Sequence, residues 1–166
     1  MAGLIGKTFL AAGVALGLGG AAIAADVAKG GPMEGVTVYS VQGDYDDVRF
    51  ALENAIVNRG LVIDYVSHIG DMLARTGEDV GGSKAIFTNA ESMLFCSAVL
   101  SRAAMEADPA NLAYCPYAVF VYEAADAPGD IMVGYRQVSE TGSEASQKAL
   151  ANVNALLDEI AKEASE

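Results

Sequence analysis

The segment from residue 91 to residue 123 most constrains how this 166-residue chain can fold, because it contains both cysteines and predicts a strand, a helix, a turn and another strand. The apolar run Met93–Cys96 has the length of a buried strand, and Ser97 is suited to cap a helix whose apolar residues recur at helical spacing. Asp108-Pro109 ends that helix, because proline lacks a backbone N–H and disfavours helical backbone in the residue before it. The β-branched and aromatic residues of 118–122 then predict a strand.

Apolar patterns along the rest of the domain predict an α+β fold. Strands are expected at 36–41, 61–69 and 131–136, and helices at 44–60, 70–76 and 143–164. The strand at 131–136 should form a hairpin with residues 119–122 across the turn at Pro128-Gly129-Asp130. Because hairpins are mixed with helices, we expect a mixed or antiparallel sheet of four to five strands covered on one face by helices.

The first 25 residues have the layout of a secretory signal peptide. A single charge, Lys7, precedes an uncharged run rich in Ala, Leu, Val and Gly, and Ala22-Ile23-Ala24 places small residues where a signal peptidase cleaves. The alternative is an uncleaved membrane anchor, in which Gly13 and Gly17 provide the spacing that lets membrane helices pack closely. Both alternatives place the domain on the periplasmic side. They predict a signal peptide or anchor at 1–25, a linker at 26–35 and one domain at 36–166.

The charge of the chain limits its partners. The formal net charge is −12, and removing Lys7 with the N-terminal segment leaves −13. Such a domain repels the phosphate backbone, so nucleic-acid binding is not expected. The acidity serves solubility, or it steers the domain to a basic protein partner such as a small electron carrier.

Several motifs of the domain resemble a family known as domain of unknown function number 302, in the form found in exported proteins of proteobacteria. The matching motifs are Phe95-Cys96-Ser97, Glu106-Ala107-Asp108-Pro109, Cys115-Pro116-Tyr117, Val121-Tyr122-Glu123, the run Ser67–Leu73 and Arg75-Thr76-Gly77. The resemblance covers roughly residues 36–137. It implies a small fold similar to that of the TATA-binding protein, a tendency to form homodimers and a context in redox or sulfur metabolism, but it implies no specific activity.

Cys96 and Cys115 are the only cysteines and the first candidate site. Two cysteines in an exported domain most often form a disulfide, although the sequence alone does not establish the required separation. The alternatives are two free thiols, or a metal, haem or redox site. The spacing is not Cys-x-x-Cys, so no thioredoxin-like motif supports thiol exchange.

His68 is the only histidine. A single histidine at a strand end is usually a hydrogen-bonded structural residue, and alternation would place it on the same face as Asp64. The alternative joins His68 with Cys96 and Cys115 as ligands of a soft or borderline metal, or makes one of them an axial haem ligand.

No arrangement of residues predicts catalysis, because His68 has neither a nucleophile elbow nor a second base beside it. We therefore expect an exported, non-catalytic accessory or binding module. One alternative is a metal- or haem-binding redox protein that uses the two cysteines and the histidine. Another is a structural subunit of a membrane complex, anchored through the helix that carries Gly13 and Gly17.

Overall fold

Five antiparallel strands form one sheet in the computed structural model, which describes residues 33–166. The strands are β1 (Val36–Gln42), β2 (Val62–Ser67), β3 (Phe87–Cys96), β4 (Tyr117–Ala124) and β5 (Asp130–Arg136). Their spatial order is β1-β5-β4-β3-β2, so the chain returns to pair its first and last strands. The predicted hairpin is confirmed, since β4 and β5 pair from Val119↔Tyr135 to Glu123↔Ile131.

Side-chain caps begin three of the helices. The helices are α1 (Tyr45–Val57), α2 (Ile69–Thr76), α3 (Ala98–Ala107) and α4 (Glu144–Glu163), with 3-10 turns at Glu78–Val80 and Pro109–Tyr114. Asp44 accepts hydrogen bonds from the backbone of α1, as Ser97 does from α3 and Ser143 from α4. Each cap satisfies N–H groups that a helix start leaves unpaired, so the starts predicted at Asp44, Ser97 and Ser143 are confirmed.

The hydrophobic core lies between the sheet and helices α1, α3 and α4. Leu52 of α1, Phe95 of β3 and Leu157 of α4 are fully buried there. Along β4, Val119 and Val121 are fully buried, whereas Ala118, Phe120 and Tyr122 on the opposite face are only half-buried. The α+β class is thus confirmed, and α1, α3 and α4 pack on the face of the sheet that carries Val119 and Val121.

Polar contacts join the helical layer to the sheet. The hydroxyl groups of Tyr39 and Tyr135 donate to one carboxylate oxygen of Asp158, at 2.6 and 3.0 Å. The buried amide of Asn111 donates to the carbonyl oxygen of Ala104 and to the Ser146 hydroxyl, both at 2.8 Å. These bonds hold α4 against β1, β5 and the end of α3.

Two strand boundaries differ from the sequence prediction. Strand β2 ends at Ser67 rather than at residue 69, because Ile69 begins α2, and its pairing with β3 shifts at Asp64. Asp64 and His68 therefore do not occupy alternating positions of one regular strand. Strand β3 begins at Phe87 rather than at Met93, because the residues before Met93 also pair with β4 although several of them are polar.

The predictions for residues 1–25, including the packing positions Gly13 and Gly17, lie outside the described residues, as does most of the 26–35 linker. Between residues 33 and 166, no helix has the length and apolar character needed to cross a membrane.

Candidate functional site

The fold brings the two cysteines together at one end of the sheet. Cys96 is the last residue of β3, and Cys115 follows the 3-10 turn that leads into β4. The β3–β4 ladder closes with Phe95↔Tyr117, so one cysteine flanks each strand just beyond that pair. Both are half-buried free thiols in this structure.

A serine and a tyrosine complete this cysteine cluster, which we define as Cys96, Ser101, Cys115 and Tyr117. The Ser101 hydroxyl lies 3.2 Å from the Cys115 sulfur and donates to the Tyr117 hydroxyl at 3.2 Å. The residues come from β3, α3, β4 and the segment before β4, so the cluster ties α3 to the sheet. Ser101 and Tyr117 carry no motif that would have linked them to the cysteines in the sequence.

Burial favours the protonated forms of two members of the cluster, Cys96 and Tyr117. Burial, and next the Cys115 thiol, raises the pKa of Cys96 to about 11, and burial also raises the pKa of Tyr117 to about 12. Since the thiolate is the reactive form of cysteine, Cys96 is a poor nucleophile at neutral pH.

His68 lies in a second cluster, centred on Glu91. Its Nδ1 atom is 2.8 Å from Glu91 Oε1, while the other Glu91 oxygen accepts a hydrogen bond from Arg49 Nε at 2.8 Å. Arg49 also donates to Glu53, one turn further along α1. These bonds connect α1, β3 and the start of α2 through one carboxylate, which fits the structural interpretation of His68.

The structure does not bring His68 together with the cysteines. Ser67 pairs with Ser92, whereas Cys96 pairs with Val62 at the other end of β2. Four residues of strand separate those positions, or about 13 Å. Residues 33–166 contain no group of three histidine, cysteine or acidic side chains placed to hold a metal.

Tyr45 adds an unusual group to the Glu91 cluster. Its side chain is 9% exposed, and its hydroxyl has no hydrogen-bond partner in the structure. Burial and then the charge of Glu91 raise its pKa above the ordinary tyrosine value. Sequence reasoning missed this cluster, because Glu91 and Arg49 are 42 positions apart and no motif links them.

A cavity of about 220 Å³ lies on the sheet near α2. It is lined by residues of α2, β3 and β4, namely Ile69, Phe87, Ala90, Glu91, Ser92, Phe120, Val121 and Tyr122. We call this the aromatic cavity, because three of the lining side chains are Phe or Tyr. A wider depression of about 390 Å³ lies between α2 and the loop that follows it.

The fold and the clusters define a small α+β domain that carries a cysteine pair and an aromatic cavity. The chain belongs to the family described as domain of unknown function DUF302, which it matches over residues 36–165. This confirms the family indicated by the sequence motifs. No curated protein matches the chain.

The fold is shared with a solved relative. The crystal structure of an uncharacterized conserved DUF302 protein from Bacillus stearothermophilus matches with a TM-score of 0.65 and 12% sequence identity. The match covers 80% of this chain and 99% of the other. At that identity the similarity establishes the fold and carries no activity across.

Proposed function

We propose that the chain is an exported accessory module that binds a partner without catalysing a reaction, and that a Cys96–Cys115 disulfide stabilises it. The observation that carries this proposal is the position of the two cysteines, which lie side by side although α3 and a 3-10 turn separate them in sequence. Oxidising compartments favour disulfides in small exported domains.

The raised pKa of Cys96 favours a structural role for the cysteine pair. A cysteine with a raised pKa is a slow attacking group, and it is also a poor leaving group in thiol exchange. Cys96 has such a pKa, at about 11. Once formed, the disulfide would therefore resist exchange and hold the start of α3 to the start of β4.

The acidic surface defines the kind of protein partner. With a net charge of −13 after residue 25, the domain attracts basic surfaces over a distance set by the ionic strength. A basic electron carrier in redox or sulfur metabolism has the matching charge. Binding to such a carrier should weaken as salt is added.

The proposal includes two finer structural features. The order of elements supports a TATA-binding-protein-like architecture, because one helix follows β1, an antiparallel sheet forms, and a long helix follows the last strand. The sheet face opposite α1, α3 and α4, which is only half-buried along β4, supports association into a homodimer. The N-terminal segment is either cleaved or kept as the inner-membrane anchor.

Intact mass spectrometry of the protein from its own cells, prepared without reductant, tests the proposal. The expected mass is that of a chain cleaved after the Ala22–Ala25 region, with the deficit of one disulfide. A Cys96→Ser variant is the control, since it should be cleaved in the same way but show no deficit. Free thiols in the wild-type chain would contradict the disulfide, and a full-length mass would replace the soluble module with a membrane-anchored subunit.

A further inference from the structure

The aromatic cavity forms because small residues on β3 pair with large aromatic residues on β4. On β3, Ala90 and Ser92 are small, and their direct partners on β4 are Tyr122 and Phe120. Directly paired residues of antiparallel strands project to the same face. Two small side chains therefore form a floor beside a wall of two large rings, and this leaves space above the floor.

Helix α2 forms the opposite wall of the cavity, and a glycine allows it to approach closely. A Cβ atom at Gly70 would lie only 2.8 Å from the backbone nitrogen of Ala90, so a larger residue could not take this position without movement. The close contact buries Ala90 to 7% exposure and places Ile69 in the lining. The cavity is thus bounded by three secondary-structure elements, namely α2, β3 and β4.

The aromatic wall is held in place by ring contacts. Phe120 stacks on Tyr122 with ring centres 6.1 Å apart, and Phe87 meets Tyr122 edge-on at 5.3 Å. Such arrangements contribute to stability beyond the area that they bury. The rings therefore present a preformed apolar surface to a ligand, which lowers the ordering cost of binding.

We infer that the aromatic cavity binds a small, neutral aromatic molecule that carries one hydrogen-bond donor. This inference goes beyond the proposed function, because it adds a small-molecule site to a domain that we propose to bind a protein. The volume of about 220 Å³ exceeds that of an apolar cavity of about 150 Å³ that holds benzene, so one ring or two fused rings would fit.

The polar groups of the cavity favour a neutral ligand that donates a hydrogen bond. The Ser92 hydroxyl donates to the Val119 carbonyl oxygen at 3.2 Å, which leaves the Ser92 oxygen to accept from a ligand. Glu91 also lies in the lining, but its two oxygens are already engaged by Arg49 and His68. A ligand N–H or O–H group therefore fits the Ser92 oxygen, whereas a carboxylate is disfavoured on an acidic domain of net charge −13.

Titration of the full exported chain with indole, followed by amide NMR, tests the inference. Shifts should concentrate at Ala90, Ser92 and Phe120 and saturate with a dissociation constant on the order of 1 mM or tighter. Indene, which has the same shape but no N–H donor, should bind up to about tenfold more weakly, as one lost hydrogen bond predicts. Benzoate should bind more weakly than indole.

Three variants separate the cavity from the rest of the sheet. Ser92→Leu fills the floor and should weaken indole binding at least about tenfold. Ala118→Leu, on the same face of β4 but outside the lining, is the matched control and should leave binding unchanged. Ser92→Ala keeps the space but removes the acceptor, so it should abolish the preference for indole over indene.

The inference is overturned if indole shifts no amide up to its solubility limit, or if folded Ser92→Leu binds indole like the wild type. Equal binding of benzoate would overturn the neutral ligand class. Each of these results would leave the mass-spectrometric test of the disulfide and of cleavage unaffected. Conversely, free thiols in the wild-type chain would not affect the indole titration.

Discussion

The hydroxyl of Ser101 lies 3.2 Å from the sulfur of Cys115, a residue that follows the end of the same helix-and-turn segment. The chain therefore folds back, so that the residue after the 3-10 turn returns to the first turn of α3. That return also brings Cys115 to Cys96, which precedes α3. The packing of α3 against the sheet therefore brings the two cysteines together.

Oxidation of the cysteine pair should stabilise the protein. A disulfide between Cys96 and Cys115 closes a loop over α3 and the following turn, and chain-entropy arguments for a loop of this length predict about 3 kcal/mol. Urea unfolding of the full chain with and without reductant measures this difference. Cys96→Ser should be insensitive to reductant, and equal stabilities of the oxidised and reduced wild type would contradict the prediction.

The reduced protein should lose stability at alkaline pH. The pKa of Cys96 rises from 9.0 to about 11 on folding, so the fold favours the protonated thiol. This contribution is fully present below pH 9 and is lost as the pH rises from 9 to 11. Urea unfolding of reduced protein across this range should show the fall.

The matched control for the alkaline experiment is Cys96→Ala. It should lose less stability between pH 9 and 11, because it lacks the Cys96 thiol. The loss of stability that remains comes from tyrosines such as Tyr117, whose pKa rises from 10.0 to about 12 on folding. The same loss of stability in the variant and the wild type over that range would assign the fall to other groups.

Removing the charge of Glu91 should destabilise the fold more than removing that of Glu53. Both carboxylates accept a hydrogen bond from Arg49 at 2.8 Å, but the Glu91 side chain is 16% exposed and that of Glu53 is 41% exposed. Glu91→Gln should cost about 2 kcal/mol, since it weakens bonds to both Arg49 and His68.

Glu53→Gln is the control for Glu91→Gln, because it removes a carboxylate from the same arginine at a more exposed position. Its effect should stay within about 0.5 kcal/mol, as for other exposed ion pairs. Chemical denaturation at neutral pH compares the two variants. Equal losses would show that Glu91 does not organise the contact between α1, β3 and α2.

Gly70→Ala should destabilise the protein, although alanine is the better helix former by about 1 kcal/mol. The added Cβ would lie 2.8 Å from the backbone nitrogen of Ala90, which cannot move as a side-chain tip can. Overpacking of this kind costs about 2 kcal/mol. Thermal or urea unfolding gives the sign of the change directly.

Gly43→Ala is the control for Gly70→Ala, because nothing lies within 4 Å of the position where its Cβ would be. We expect a change within about 0.5 kcal/mol there. If Gly70→Ala were more stable than the wild type, α2 would not be seated on β3 as closely as the structure shows.

Local signals in the sequence were sufficient for the element order and the fold class. The side chains of Asp44, Ser97 and Ser143 cap helices within three residues of themselves, so the relevant contacts are encoded by short spacing. Alternation along β4 likewise reports which face is buried. The boundary between β2 and α2 was harder to predict, since apolar residues continue to Ile69 and Ile69 fits either element.

The sites depended on contacts between distant parts of the chain. Glu91 meets His68 and Arg49 from 23 and 42 positions away, and the floor of the aromatic cavity exists only because Ala90 and Ser92 pair with Tyr122 and Phe120. Strand register sets these neighbours, and register is decided by packing of the whole sheet. The same pairing separates His68 from Cys96, which one alternative from the sequence placed in a shared ligand set.

The sequence by itself therefore determined the family, the α+β class and the helix starts, because these follow from residue patterns and from bonds between near neighbours. The tertiary structure alone decided which side chains share a site. Tertiary packing placed the two cysteines together, brought His68 to Glu91 and formed the aromatic cavity. Only strand pairing and helix packing could do this, because the residues that share a site are far apart along the chain and no local pattern links them.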